Sequence, residues 1–352
     1  MEPRIPPSTA ATGWLTELAA RGATIVDHRV QHFGDPSAER LAVRDGLVVC
    51  DLSHLGTIAA TGADTETFLQ GQLSNDIRQL APDRAQFSSY STPKGRLLAS
   101  FLAYRTPTVV HLQLPRELVE PIRKRLAMFV LRSQVTLGDA SDAQVRLGAA
   151  GGGAEALIAA TVGSAPAATL AVAQADGATT IRLPGDRFEI VVAPERAGEL
   201  WQALTAQARP VGAAGWDWLE IQAGIPIITA ATQDEFVLQM VNLDLVGGVS
   251  FQKGCYTGQE IVARTHYLGR LKRRMYLAHT DPDTPPAAGT QLYSRDLEGQ
   301  TSGMVVSAAP APGGGFDLLA VIQTASADAH PIHLGAPDGP VLRLEPLPYP
   351  VA

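Results

Sequence analysis

The sequence predicts an α+β protein in which a mixed body precedes an all-β C-terminal domain. Up to Arg274, segments with apolar residues at helical spacing alternate with short β-rich runs. After Arg274, short β-rich runs separated by Pro and Gly are typical of a small antiparallel barrel. The 352 residues, 45% hydrophobic and 18% charged, form an ordinary globular composition, long enough for two or three packed units.

Composition argues against several classes of protein. The net charge of -7 means that contact with nucleic acid would require a local basic patch. The two cysteines, Cys50 and Cys255, are far apart, which argues against a disulfide scaffold or a thiolate metal site. The histidines show no metal-ligand spacing, so no metal is predicted. Without a signal peptide or an apolar run of about 18 residues, we expect a cytoplasmic protein that does not contact a membrane.

The elements of the body follow from periodicity and turn residues. Residues 41–61 predict a hairpin or strand pair, and a helix is predicted from Asp64 to just before Asn75. The Ala- and Gly-rich segment 149–175 predicts a loosely specified helix with glycine-rich flanks. Further strands are predicted at 86–90, 96–104, 109–114, 179–183 and 188–192, and further helices after Pro115, after Pro194 and around Trp216.

These elements predict four regions. Residues 1–20 are expected to be a flexible leader because prolines interrupt their start. Residues 21–250 form the mixed body of two lobes, and residues 251–274 form a separate signature segment. Residues 275–352 form the barrel, with strands predicted at 275–278, 291–293, 303–306, 318–322 and 341–344.

The segment Gly247–Arg274 has the clearest chemical pattern. Thr257 followed by Glu260 predicts a capping box and hence a helix that begins near Thr257. Cys255 would then precede a helix N-terminus, two residues from Lys253, and both positive groups favour a thiolate with a lowered pKa. The structural alternative, a buried cysteine that acts as a small apolar residue, stays open on these residues alone.

Beyond this local pattern, residues 253–260, KGCYTGQE, resemble the signature octapeptide of the YgfZ family. These are folate-binding proteins that support tRNA modification and iron–sulfur enzymes. The resemblance spans roughly residues 41–350 and includes four other segments: FLQGQLSND at 68–76, AGIP at 223–226, GGVSF at 247–251 and EPLPY at 345–349.

The wider superfamily includes the glycine-cleavage T-protein, which transfers a one-carbon unit to tetrahydrofolate. The resemblance therefore implies a T-protein-like fold, with two ferredoxin-like lobes around a central folate channel and a terminal antiparallel β-barrel. It implies tetrahydrofolate or a derivative as cofactor and iron–sulfur proteins as partners. It also assigns a functional role to the signature residues Lys253, Cys255 and Glu260.

Six residues are predicted to contact folate. Pterin is flat and aromatic, so it needs a stacking surface and polar partners for its amide edge. The alternatives are core packing for Trp216, an outward strand position for Glu189 and a turn cap for Asn75. A basic run from Arg264 to Arg274 favours an anionic partner, either the glutamate tail of folate or RNA phosphate. The predicted contacts are Trp216, Asn75, Glu189, Tyr256, Gln259 and Arg264.

The sequence departs from the enzyme at Lys94–Ser100. One-carbon transfer needs an acid/base carboxylate, and the corresponding T-protein stretch resembles a pair of aspartates after a glycine turn. The stretch KGRLLAS has neither Asp nor Glu. Three hypotheses remain: a folate-binding accessory factor that supports iron–sulfur enzymes and thereby tRNA methylthiolation, a T-protein-type aminomethyltransferase, and a non-catalytic folate-binding adaptor in which Cys255 is structural. The missing carboxylate ranks the first above the second, and direct contact with tRNA stays open.

Overall fold

The structure, a computed structural model, describes residues 10–269 and 271–351. The chain forms two compact units, each assembled from separate stretches. Unit 1 contains the chain up to Thr65 together with Gln79–Gln86 and Leu102–Trp216. Unit 2 contains Glu66–Arg78, Phe87–Phe101 and the chain from Asp217 onward.

Helices and strands alternate through the body and give way to strands near the C-terminus. The helices are α1 (Ala10–Ala20), α2 (Pro36–Asp45), α3 (Thr65–Gln72), α4 (Arg116–Ala127), α5 (Ala154–Val162), α6 (Pro194–Thr205), α7 (Ala213–Gln222), α8 (Gln259–Leu268) and α9 (Thr324–Ala329). The strands are β1 (Thr24–Val26), β2 (Arg29–His32), β3 (Val48–Asp51), β4 (Leu55–Thr61), β5 (Gln86–Ser91), β6 (Leu97–Arg105), β7 (Val110–Pro115), β8 (Thr136–Asp139), β9 (Val145–Ala150), β10 (Val172–Ala175), β11 (Ala178–Leu183), β12 (Arg187–Val192), β13 (Arg209–Val211), β14 (Arg273–Thr280), β15 (Gln291–Ser294), β16 (Thr301–Pro310), β17 (Phe316–Gln323), β18 (Ile332–Leu334) and β19 (Val341–Glu345).

Unit 1 contains a six-stranded sheet in the order β10-β11-β12-β9-β3-β13. One face of this sheet carries apolar side chains such as Phe188, Ile190 and Leu147, which pack into a core with α1, α5 and α6. Because side chains alternate along a strand, the intervening residues of β9 and β12 lie on the opposite face. Strands β4, β7 and β8 of unit 1 belong to a second sheet, with the order β5-β6-β7-β4-β8.

Unit 2 contains the predicted C-terminal barrel. Six strands close in the order β14-β17-β16-β15-β18-β19, and every pair is antiparallel. Closure leaves no unpaired strand edge. One core of unit 2 joins barrel residues such as Met275 and Val321 to Ile221, Phe236 and Val262. The predicted C-terminal antiparallel barrel is therefore confirmed, but the region is not all-β, because the short helix α9 lies between β17 and β18.

The predicted leader was wrong for residues 10–20, which form α1. Trp14 and Leu18 lie four residues apart on one helix face and are 3% and 0% exposed in the core of unit 1. The Trp14 indole also donates to the Asp51 carboxylate at 2.7 Å. Residues 1–9, the rest of the predicted leader, lie outside the described residues.

Two predicted elements of the body also differ from the structure. Residues 41–61 are not a hairpin, because α2 continues to Asp45 and the two following strands belong to different sheets. Strand β3 pairs with β9 and β4 pairs with β7, partners too distant in sequence for turn signals to reveal. Residues 149–175 contain one short helix, α5, between β9 and β10 rather than a single loose helix.

Within residues 10–269 and 271–351, no helix has the length and apolarity needed to span a membrane.

Candidate functional site

A buried polar cluster lies on the non-core face of the six-stranded sheet in unit 1. Strand β12 places Glu189 on this face, and the register of β12 with β9 sets it opposite Gly148. The Glu189 carboxylate accepts a hydrogen bond from Gln113 Nε2 at 2.9 Å. Its Oε1 lies 3.9 Å from Arg146 Nε, and both of these side chains are only 1% exposed. Two groups that are normally charged are thus held together away from water.

Arg146 links this carboxylate to other polar groups of unit 1. Its Nη2 donates to the Thr57 hydroxyl and, at 3.1 Å, to Gln144 Oε1. Nearby, the imidazole of His111 stacks on the ring of Tyr104, with centroids 4.7 Å apart. Burial and then Arg146 lower the pKa of His111 to about 4, and burial raises the pKa of Tyr104 to about 12. His111 and Tyr104 are therefore neutral at pH 7.

Several polar atoms of this cluster are buried without a hydrogen-bond partner among the described residues. They are Trp216 Nε1, Arg146 Nε and Gln113 Oε1. Most buried polar groups in proteins are hydrogen-bonded, and an unpaired one typically costs about 1–3 kcal/mol. Two donors and an acceptor beside a buried carboxylate are groups that a polar, flat ligand can satisfy.

Trp216 lies at the edge of this cluster and is 2% exposed. Its ring packs on the backbone of β9, where a Cβ added to Gly148 would lie 2.4 Å from the indole ring. The Arg187 guanidinium carbon is 5.1 Å from the ring centroid, a cation–π arrangement. The structure therefore supports core packing for Trp216, and its buried N–H has no hydrogen-bond partner among the described residues.

The signature segment belongs to unit 2, where its helix begins later than the sequence predicts. Helix α8 starts at Gln259, and among the described residues no side chain caps it. The predicted capping box between Thr257 and Glu260 was therefore wrong. Gly258 occupies the cap with φ +86°, and a Cβ there would lie 2.7 Å from the Thr92 carbonyl oxygen. This close backbone approach determines the cap, and no side-chain hydrogen bond is needed.

Lys253 is a structural cation of unit 2. Its Nζ donates to the carbonyl oxygens of Gln70, Leu73 and Asn75 at 2.8, 2.6 and 2.9 Å. These carbonyls lie at and just beyond the C-terminus of α3, where a cation is favourable. Burial lowers the pKa of Lys253 to about 8, and the Asp76 carboxylate opposes this shift, so the group is mostly an ammonium ion at pH 7.

All three donors of the ammonium group are therefore used on the backbone, whereas the sequence placed Lys253 as a partner of the thiol. We expect Lys253→Met to lower the free energy of unfolding by about 3 kcal/mol, because three buried carbonyl oxygens lose their donor. Guanidinium denaturation at pH 7 measures the loss. Lys94→Met, at an exposed lysine of unit 2, is the matched control and should change stability little. Equal stabilities of the two variants would contradict this role.

The other signature residues occupy different environments. Cys255 is exposed, which excludes the buried alternative for it, and Cys50 is buried. Tyr256 is buried with its ring 5.0 Å from Lys253 Nζ, and burial raises its pKa. Three further predicted site residues lie on α8: Gln259 is half-buried, and Glu260 and Arg264 are exposed.

The Asn75 side chain forms hydrogen bonds with three backbone groups of unit 2. Its Nδ2 donates to the carbonyl oxygens of Phe87 and Gly247 at 2.7 and 2.8 Å. Its Oδ1 accepts from the Asp76 amide at 2.9 Å. Both amide donors are used in this way, so the structure supports the turn-bracing interpretation of Asn75 over a ligand contact.

Two side chains of the stretch Lys94–Ser100, which is predicted to correspond to the T-protein aspartates, form hydrogen bonds within unit 2. The Ser100 hydroxyl donates to the Pro226 carbonyl and accepts from the Ile228 amide, both at 3.1 Å. Arg96 donates to the carbonyl of Glu235. These groups brace the backbone and offer no acid/base function. In the part of the chain that the structure describes, no three His, Cys, Asp or Glu side chains are grouped as metal ligands.

Comparisons with known proteins agree with this architecture. The family model of the GCVT N-terminal domain matches residues 28–252. The tRNA-modifying protein YgfZ of Escherichia coli O127:H6 is 32% identical over 317 residues, covering 89% of this chain and 97% of the relative. The chain belongs to the YgfZ family. The YgfZ protein of Shigella sonnei matches with the same identity and coverage.

The fold is also that of a solved T-protein. The crystal structure of glycine cleavage system aminomethyltransferase T from Bartonella henselae has a TM-score of 0.79 and 19% sequence identity, and the match covers 95% of this chain and 96% of that one. The predicted T-protein-like fold of this YgfZ family member is thereby confirmed.

Sequence reasoning found Glu189 and Trp216 but missed the side chains around them. Gln113 and Arg146 each stand between apolar residues in short strands, and Arg187 begins the apolar strand β12. A polar residue at such a position, when the strand is buried on both faces, indicates a buried polar interaction. This signal was present in the sequence and pointed to the cluster.

Proposed function

We propose that this chain is a folate-binding accessory protein that supports iron–sulfur enzymes and, through them, tRNA modification. The observation that carries the proposal is the buried Glu189 carboxylate, accompanied by polar atoms of Trp216, Arg146 and Gln113 that have no hydrogen-bond partner among the described residues. Membership of the YgfZ family and the printed name of its relatives support the link to tRNA.

The residues of unit 1 fit the chemistry of a reduced pterin. A carboxylate binds the amide edge of a pterin by accepting from its ring N–H and amino group, and Glu189 is the residue for this role. The Trp216 indole N–H and Arg146 Nε are donors for ligand oxygen or nitrogen, and Gln113 Oε1 is an acceptor. Tetrahydrofolate, when bound, supplies the capacity to carry a one-carbon unit. The protein's residues bind and orient it in a site shielded from water.

Purified protein should bind tetrahydrofolate with one site per chain, because unit 1 contains one such cluster among its described residues. Isothermal calorimetry with tetrahydrofolate and with its polyglutamate measures stoichiometry and affinity. Comparison of the two ligands shows whether the glutamate tail adds to the affinity. Absence of heat with either ligand at high concentration would eliminate folate as the cofactor.

Aminomethyl transfer is the second candidate, favoured by the structural likeness to the T-protein. The stretch Lys94–Ser100 argues against it, because none of its residues is a carboxylate and the Arg96 and Ser100 side chains are hydrogen-bonded to the backbone. An assay with an aminomethylated lipoyl carrier protein separates the two functions. Turnover that stops when the folate site is blocked would make aminomethyl transfer the better-supported function.

The exposed Cys255 favours an active factor over a passive adaptor. An exposed thiol on a segment anchored by a buried lysine is accessible to a partner, whereas a packing cysteine would be covered. The partners are proposed to be iron–sulfur client proteins in the cytoplasm. In the adaptor alternative, Cys255 has no chemical role and folate binding is the whole function.

A further inference from the structure

Unit 2 displays a cluster of three aromatic rings beside the signature segment. The Phe251 and His266 rings stack with centroids 3.8 Å apart and planes 17° from parallel. Tyr267 meets both rings edge-on, at 6.4 and 4.7 Å. Tyr267 is 66% exposed and His266 is also exposed, so the cluster lies at the surface of unit 2. Exposed grouped aromatic rings are unusual on a surface unless something covers them.

The same stretch of chain is strongly basic. Residues 261–280 contain five Lys or Arg and neither Asp nor Glu, in a chain whose net charge is -7. The Arg274 guanidinium forms an ion pair with the Asp244 carboxylate at 2.8 Å, so its charge is compensated within unit 2. Arg264 and Lys272 are exposed, and Arg273 is half-buried. Arg270 lies outside the described residues. The surface therefore combines accessible rings with accessible cations.

We infer that the surface formed by Phe251, His266, Tyr267, Arg264 and Lys272 binds single-stranded RNA. Unpaired bases stack on aromatic rings, and basic side chains bind the phosphates that connect them. Protein interfaces are also enriched in aromatic residues and Arg, so the preference for RNA rests on the excess of positive charge and on Lys272, a residue type that is depleted at such interfaces. This inference goes beyond the proposed function, in which tRNA is reached only through other enzymes.

The choice of a single strand rather than a duplex follows from the rings. Bases in a duplex are stacked on each other and present only their edges, so a ring cluster cannot stack on them. A basic surface alone would bind either form through phosphates. The basic side chains alone would not distinguish the two forms, so a preference for the single strand would come from the aromatic cluster.

Fluorescence anisotropy of the full chain with labelled oligonucleotides of about 12 nucleotides, within the usual range of site sizes, tests this inference. An unstructured RNA, a DNA of the same sequence and an RNA duplex are compared at about 50 mM salt and above, where phosphate contacts weaken. The single-stranded RNA should bind more tightly than the duplex. The DNA shows whether the 2′-hydroxyl contributes.

Two variants separate stacking from charge. Tyr267→Ala should weaken single-strand binding about tenfold, within the range for loss of one stacked base, and Tyr267→Phe should restore it. Arg264→Gln should weaken RNA binding and reduce the slope of log Kd against log salt by about 0.7, the value for one phosphate contact on a single strand. Phe129→Ala and Arg132→Gln, at an exposed aromatic ring and an exposed cation of unit 1, are the matched controls.

The inference is overturned if RNA does not bind at low salt, or if the unit 1 controls weaken binding as much as the unit 2 variants. Self-association of the chain that depends on Tyr267, without RNA binding, would make this surface a protein interface instead. Calorimetry with tetrahydrofolate on Tyr267→Ala keeps the two proposals apart. Folate binding should be unchanged there, because the proposed pterin contacts, Glu189, Trp216, Arg146 and Gln113, belong to unit 1.

Discussion

Replacing Glu189 by glutamine should weaken tetrahydrofolate binding about 100-fold, corresponding to about 2.8 kcal/mol. The change keeps the size of the side chain but replaces a carboxylate with an amide that has one acceptor oxygen. Hydrogen bonds to a charged group contribute about 1.5–3 kcal/mol each, and the pterin edge offers two donors. Calorimetry under the conditions used for the unchanged chain measures the loss.

The control for this variant is Glu155→Gln, a unit 1 carboxylate whose side chain is 57% exposed. It should bind tetrahydrofolate like the unchanged chain. Glu189→Asp keeps the charge and should bind better than Glu189→Gln. Because Glu189 also faces Arg146 and accepts from Gln113, a thermal melt of each variant shows whether unit 1 is still folded. A folded Glu189→Gln variant with unchanged affinity would remove Glu189 from the site.

The two cysteines should differ in alkylation rate by roughly 100-fold or more, because a buried group reacts only through rare local opening. Cys50 is 1% exposed in β3, and its Sγ lies 3.2 Å from the Asp51 carbonyl oxygen. Cys255 is exposed and precedes α8. Iodoacetamide labelling of the folded chain, followed by peptide mass spectrometry, reports both rates in one sample.

Labelling in guanidinium is the internal control, since both thiols should then react at similar rates. Cys255→Ala should retain tetrahydrofolate binding, because the predicted contacts with the pterin edge belong to unit 1. Equal, slow labelling of both cysteines in the folded chain would show that Cys255 is a packing residue. The adaptor alternative would then be the better account of the signature.

The family and the barrel were predicted from the sequence. The octapeptide at 253–260 is a continuous run, so it can be recognised without knowing how the chain folds. The barrel strands were visible because Pro and Gly separate them, and turn formation depends on neighbouring residues. The alternation that places Arg187 and Glu189 on one face of a strand is likewise local.

The partners of these residues were decided by the tertiary structure. Glu189 meets Gln113, 76 positions away in the chain, and the pairing of β12 with β9 brings it near Arg146. Lys253 is two residues from Cys255, yet its ammonium group binds carbonyls about 180 positions away. The start of α8 depends on how closely Gly258 approaches Thr92. Hydrogen bonding of a buried group is decided by which strands and turns pack against it, and spacing along the chain does not contain that information.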